Sequence, residues 1–135
     1  MPGLVPDDYD ALADFRYLLR KFLRFSKDFL RGAGLNSEQY EALLAIKAFE
    51  SPDGLTISQL SERLQVKHHS AVNIVDRLVD QKLISRQTGT TDRRRRHVRL
   101  TAKGEKMIDE LAAAHRKEIR IRSIELIKAL ERLRK

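Results

Sequence analysis

Leu55-Thr-Ile-Ser-Gln-Leu-Ser-Glu-Arg-Leu-Gln-Val-Lys-His-His-Ser-Ala-Val-Asn-Ile-Val-Asp-Arg-Leu78, followed by Lys82-Leu-Ile-Ser-Arg86 and by Asp92-Arg-Arg-Arg-Arg-His-Val-Arg-Leu-Thr101, decides the fold. Thr56 is placed to cap a helix, with Gln59 three residues on to complete a capping box, because side-chain oxygens satisfy amides that lack an intrahelical partner. Ile57, Leu60 and Leu64 then share one face. After a break at Gln65-Val66-Lys67, Ala71, Ile74, Val75 and Leu78 follow the i, i+3, i+4, i+7 spacing of a buried stripe, which predicts a second helix. Its opposite face carries His69, Asn73, Asp76 and Asp80, flanked by Ser70, Val72 and Arg77.

Two β-compatible runs follow, Leu83 to Thr88 and His97 to Leu100. Between them lie Thr88-Gly89-Thr90-Thr91-Asp92 and four arginines, so the spacing predicts a hairpin with a long, positively charged tip. Arg93, Arg94, Arg95 and Arg96 belong in solvent, since buried unpaired charge is prohibitive. Like charges so close repel one another unless a polyanion compensates them. Two short helices with a polar outer face, then a basic hairpin, predict a mainly α winged helix-turn-helix: the second helix reads base edges in the major groove and the wing reaches a neighbouring minor groove. Two short helices joined by a tight turn also occur in many proteins that bind no nucleic acid; the arginines favour the DNA reading.

These residues resemble the MarR family of bacterial transcription factors (multiple antibiotic resistance regulators). The resemblance is carried by Leu64-Gln65-Val66 through Arg77-Leu78, by Lys82-Leu83-Ile84-Ser85-Arg86, and most specifically by Asp92-Arg93-Arg94 with Leu100-Thr101-Ala102-Lys103-Gly104 after it. It implies that Asp92 braces Arg94 for entry into the minor groove, and that Lys67 to Arg77 form the recognition helix. DNA contacts are thereby expected from Lys67, His68, His69, Ser70, Val72, Asn73, Arg77, Arg86 and Arg93 to Arg96. Two positions depart from the family pattern: Lys82 stands where a turn glycine is usual, and His68-His69 replace small residues at the helix start.

At 135 residues with 41% hydrophobic content, the chain is long enough for one compact domain, or for a domain with dimerisation helices, but too short for two independent cores. A single domain over 1–135 is expected, with a winged lobe at about 36–100 and dimerisation helices at about 8–31 and 102–135. The net charge of +8 is uneven. Residues 1–50 hold 7 basic and 8 acidic groups (net −1), 51–101 hold 10 and 5 (net +5), and 102–135 hold 10 and 6 (net +4). A basic centre is an electrostatic footprint for nucleic acid. No stretch is apolar enough to span a bilayer, and the start lacks the regions of a signal peptide, so the cytoplasm is expected. Without cysteine there is no disulfide, thiolate metal site or thiol sensor.

Asp7, Asp8 and Asp10 suit the first turn of a helix, where the macrodipole favours negative charge. That helix should run to about Arg31, with Leu12, Phe15, Leu19, Phe22 and Phe29 as one apolar line, widened by Leu18, Phe25 and Leu30. Gly32-Ala33-Gly34 should end it through a left-handed stop. Ser37 is then expected to cap a helix with Tyr40, Leu43, Leu44, Ile46 and Phe49 inside, up to a turn at Ser51-Pro52-Asp53-Gly54. After the wing, Thr101 should cap a helix running through Ile108, Leu111 and His115 to about Arg122, with a separate terminal helix carrying Ile124, Ile127, Leu130 and Leu133. A helix of about three turns is marginal alone. Surplus apolar surface at both chain ends, on Leu12, Phe15, Leu19 and Phe22 and on Ile124, Ile127 and Leu130, predicts a two-fold homodimer.

Other chemistries are poorly supported. The four histidines lack the spacing of a zinc site. There is no phosphate loop, nucleophile elbow or triad, so no enzyme and no cofactor are expected. The expected function is that of a dimeric, ligand-responsive repressor on a pseudo-palindromic operator; a low-specificity architectural DNA binder or protein-interaction module is the alternative. The family resemblance also implies a small aromatic or anionic effector, and no motif marks its site.

Overall fold

A computed structural model describes residues 3–50, 53–88 and 96–135. It contains α1 (Pro6–Gly32), α2 (Ser37–Ala48), β1 (Leu55–Thr56), α3 (Ile57–Leu64), α4 (His68–Asp80), β2 (Ile84–Thr88), β3 (Arg96–Leu100) and α5 (Ala102–Arg134). The chain forms two compact units, one of Gly34–Ala112 and one of Met1–Ala33 with Ala113–Lys135.

In the unit Gly34–Ala112 the starts of α2 and α3 are fixed by reciprocal side-chain caps. The Thr56 hydroxyl accepts from the Gln59 amide at 3.1 Å, and the Gln59 side chain accepts from the Thr56 amide at 2.9 Å. α2 uses the same device one residue earlier than the sequence suggests: Asn36, not Ser37, is the cap, exchanging bonds of 2.8 and 3.0 Å with Gln39. Asn36 has a glutamine three residues on, whereas Ser37 has Tyr40, which has no acceptor suited to closing the box. Leu43, Ile46, Leu60, Val75, Leu78, Val98 and Ile108 form a core excluded from solvent. Leu44 and Phe49, expected inside, are 40% and 43% exposed. The Arg63 guanidinium covers the Phe49 ring at 4.3 Å, a cation–π contact that partly shields it from water.

The sheet has three strands in the order β1-β3-β2, both pairings antiparallel. The expected hairpin is β2 with β3; the third strand, only Leu55–Thr56, was not foreseen. Val98, at the centre, faces Leu55 on one side and Arg86 on the other.

α4 ends in a wrapped turn in which Lys82 adopts a left-handed φ of 62° and the Leu83 amide donates to the Leu78 carbonyl at 3.0 Å. Lys82 therefore takes the backbone conformation that the more usual glycine would supply. The Thr101 hydroxyl donates to the Lys82 carbonyl at 2.7 Å and accepts from the Gly104 amide at 3.0 Å, so one side chain closes this turn and caps α5. Gly104 is buried so tightly that a Cβ there would overlap the Leu83 carbonyl oxygen. The Leu-Thr-x-x-Gly pattern is thus a joint between the end of α4 and the start of α5.

In the other unit, α1 starts with the Asp8 carboxylate accepting from the Val5 amide at 2.9 Å. It ends in the expected left-handed stop: Ala33 is the C-cap, with φ −94°, and Gly34 directly after it is left-handed, with φ 76°. Ala11, Leu18, Ser26 and Leu30 are the buried face. The residues expected to widen the apolar line, Leu18 and Leu30, are therefore inside, whereas Leu12 and Phe29 are exposed. His115 is buried, its Nε2 2.8 Å from the Ser26 hydroxyl, with the rings of Phe22, Phe25 and Phe29 edge-on around it. Arg132 ties the helix ends together by binding Asp7 and, at 3.1 Å, Asp14.

α5 is one helix of 33 residues, so the expected break near Arg122 and Ser123 does not occur. From Glu105 to Arg134 there is no glycine or proline to stop it. The Ser123 hydroxyl donates to the Arg120 carbonyl at 2.9 Å, within the helix.

Candidate nucleic-acid interface

α4 is held on its inner side by Ala71, Ile74, Val75 and Leu78, all buried. That packing fixes which side chains look outward. His69, Asn73 and Arg77, four residues apart, lie on one exposed row, with Asp76 and Asp80 beside them. Lys67 is the N-cap residue and is exposed, as is His68; Ser70 and Val72 are half-buried at the two rims. A polar groove runs between the start of α2 and this row, lined by Asn36, Gln39, Ser70, Asn73 and Arg77 among others. Asn36 and Gln39 have their side chains committed to their capping box, whereas the outward row of α4 offers its donors and acceptors to solvent.

The α3–α4 connection is tight because Gln65 takes a left-handed φ of 55°. Its side-chain amide donates to the Glu62 carbonyl at 2.7 Å, binding the last turn of α3 from outside. This local bond offsets part of the cost of a non-glycine residue in that region.

Arg86, on β2, forms a salt bridge with Asp76 of α4. The link joins the outward helix row to the strand pair and neutralises one of the two acids that would repel a phosphate. The sequence reading placed both residues but not their pairing. Opposite charges on a helix and on the strand returning beside it were the only sign. Asp92, Arg93, Arg94 and Arg95 lie outside the described residues. Arg96 opens β3, its Cα paired with that of Thr88.

Away from this face, Lys47 of α2 binds Glu105 of α5 at 2.7 Å. This hydrogen bond holds the Lys47 ammonium above its ordinary pKa and braces the joint at Gly104. Among the described residues there is no group of three histidine or carboxylate side chains arranged to hold a metal ion.

Residues 33–95 match the model of the MarR family. Several solved structures share the fold. AbsC of Streptomyces coelicolor, described as a MarR family transcriptional regulator, aligns with a TM-score of 0.76 and 21% identity over 93% of this chain and 84% of its own. MepR of Staphylococcus aureus, solved as a complex with DNA, aligns with a TM-score of 0.70 and 24% identity, over 81% and 78%. YusO of Bacillus subtilis aligns with a TM-score of 0.66 and 27% identity, over 91% and 89%.

Proposed function

We propose, from its membership of the MarR family through residues 33–95, that this chain is a DNA-binding transcription regulator, acting as a dimeric, ligand-responsive repressor. The observation that carries this reading is the outward row of α4. Polar side chains of the right reach stand on a helix whose other side is locked into a core, so the row is presented without a cost of ordering the helix on binding. Asn73 supplies the donor and acceptor that adenine matches in a bidentate way, and Val72 at the rim suits a thymine methyl. His69 and Arg77 flank Asn73, while Lys67, His68 and Ser70 meet the backbone at the helix start. Arg86 is held by Asp76 and serves the phosphates beside the groove. In the wing, Asp92 braces Arg94, with Arg93, Arg95 and Arg96 supplying further positive charge. MepR, which has this fold, was solved bound to DNA, and that supports the same use here.

Dimerisation rests on the apolar side chains left in solvent: Ile124 is 64% exposed, Ile127 52% and Leu130 45%. Leu12 is also exposed, with Phe15, Leu19 and Phe22 half-buried, on α1. A two-fold pairing through these surfaces gives two recognition helices and hence a pseudo-palindromic operator. A small aromatic or anionic effector acts on this dimer, and the cytoplasm is its place of work; no helix among the described residues is long and apolar enough to cross a membrane. Selection of bound duplexes from a random pool by the full chain tests the reading. A pseudo-palindrome with half-sites about 10 base pairs apart is expected. Failure to enrich any sequence would leave only a low-specificity binder.

A further inference from the structure

Beyond that reading, we infer that the outer side of α1 is a second surface for duplex DNA, binding its phosphate backbone through Arg16, Arg20, Arg24, Lys27 and Arg31. These five residues recur at intervals of four, four, three and four. At about 100° per residue they fall within roughly 80° of arc, one continuous stripe. All five are exposed, and with Leu19, Leu23 and Asp28 they line a single depression along the helix.

None of the five takes part in an ion pair among the described residues. Elsewhere Lys47, Arg86, Arg122 and Arg132 each bind a carboxylate. Like charges four residues apart on a helix repel by a few tenths of a kcal/mol per pair. The macrodipole offsets this for Lys27 and Arg31 in the last turns, but its reach does not extend to Arg16, Arg20 and Arg24. A stripe of this kind calls for an external polyanion.

Duplex DNA fits it better than an anionic membrane does. From Arg16 to Arg31 the stripe is about 22 Å long, at about 1.5 Å per residue. Because a strand winds about the duplex axis, a straight stripe of that length meets about three or four of its phosphates. Four of the five cations are arginines, whose forked guanidinium pairs with two phosphate oxygens at once. A helix lying in a membrane must sink a broad apolar face into the lipid. Within the depression that the stripe lines the apolar side chains are Leu19 and Leu23, too narrow a face for that.

The full chain carrying Arg20→Gln, Arg24→Gln and Lys27→Gln together tests the inference. Glutamine has nearly the helix propensity of the residues replaced, and all three are exposed, so α1 is retained. Affinity for a long duplex is measured over a range of salt, with the preference for selected over random sequence. Each lost phosphate contact lowers the log–log slope by about 0.9, so the variant should lose about 2.7 in slope. Relative to wild type it should bind roughly 40-fold more weakly at 50 mM salt than it does at 200 mM. Sequence preference should not change, whereas Asn73→Ala should alter preference and leave the slope. An unchanged slope overturns the inference. So does a variant that keeps its slope but loses co-sedimentation with phosphatidylserine vesicles, which would assign the stripe to a membrane. If the wild type shows no sequence preference the regulator reading fails, yet the slope difference still decides this one.

Discussion

Replacing Gly104 by alanine makes the same chemical change as replacing Gly32 by alanine, yet the two should move stability in opposite directions. Gly104 lies in the first turn of α5, where its amide donates to the Thr101 hydroxyl, and a Cβ would overlap the Leu83 carbonyl oxygen. A backbone carbonyl cannot swing aside as a side-chain tip can, so the start of α5 must shift. Three bonds depend on its present position: Gly104 amide to Thr101 hydroxyl at 3.0 Å, Thr101 hydroxyl to Lys82 carbonyl at 2.7 Å, and Thr101 amide to Leu83 carbonyl at 3.0 Å. At about 1 kcal/mol each, their loss outweighs the gain of at most about 1 kcal/mol in helix propensity. The expected net destabilisation is about 1–3 kcal/mol, the range of other overpacking substitutions. At Gly32, the last residue of α1, a Cβ would meet nothing within 4 Å, and alanine should stabilise by about 0.4–1 kcal/mol. Urea denaturation at one fixed protein concentration reads both as midpoint shifts with unchanged slope. Shifts of the same sign would refute the assignment of Gly104 to a close backbone approach.

Asn73→Ala should lose about 1–3 kcal/mol at one base position of the selected operator and relax preference there, read by titrating single-base variants; an equal loss on every sequence would remove Asn73 from base reading. Changing Ile124, Ile127 and Leu130 together to serine should give a monomer by sedimentation equilibrium and abolish high-affinity operator binding, and a monomer with wild-type affinity would contradict the dimer. Arg132 hydrogen-bonds Asp7 and holds its carboxyl below the usual carboxylate range. A depressed folded value means that this contact supports the fold above the ordinary carboxylate range and is lost as pH falls through the lower value. An NMR titration of Asp7 should show that depression and its disappearance in Arg132→Gln; an unaltered midpoint in the variant assigns the depression elsewhere.

The winged unit was largely legible because its signals are local. Thr56 with Gln59, and the stripe Ala71, Ile74, Val75 and Leu78, lie within a few residues of one another, and backbone geometry alone links them. Asn36 with Gln39 was equally local, but the adjacent Ser37 is an equally good cap by type. The length of α5 is hidden because Ile124, Ile127 and Leu130 fall out of phase with Ile108, Leu111 and His115. They are exposed while Ala129 is buried, so they form a second apolar face of one helix rather than a new helix. β1 is two residues long, too short for any alternation to register. The Ser26–His115 bond joins positions 89 apart, and the Asp76–Arg86 bridge depends on how strand follows helix. In the reading face, residue types and row were visible from the spacing; which acid is neutralised was not.

The central position of β3 bears on its register. The strand is held twice, by β2 through the hairpin and by β1 through Leu55 opposite Val98 and Thr56 opposite His97. A slip of one residue would turn the fully buried Val98 out of the core. β1 lies on the edge of β3 opposite β2, so a slip of β3 against either neighbour would also break its pairing with the other.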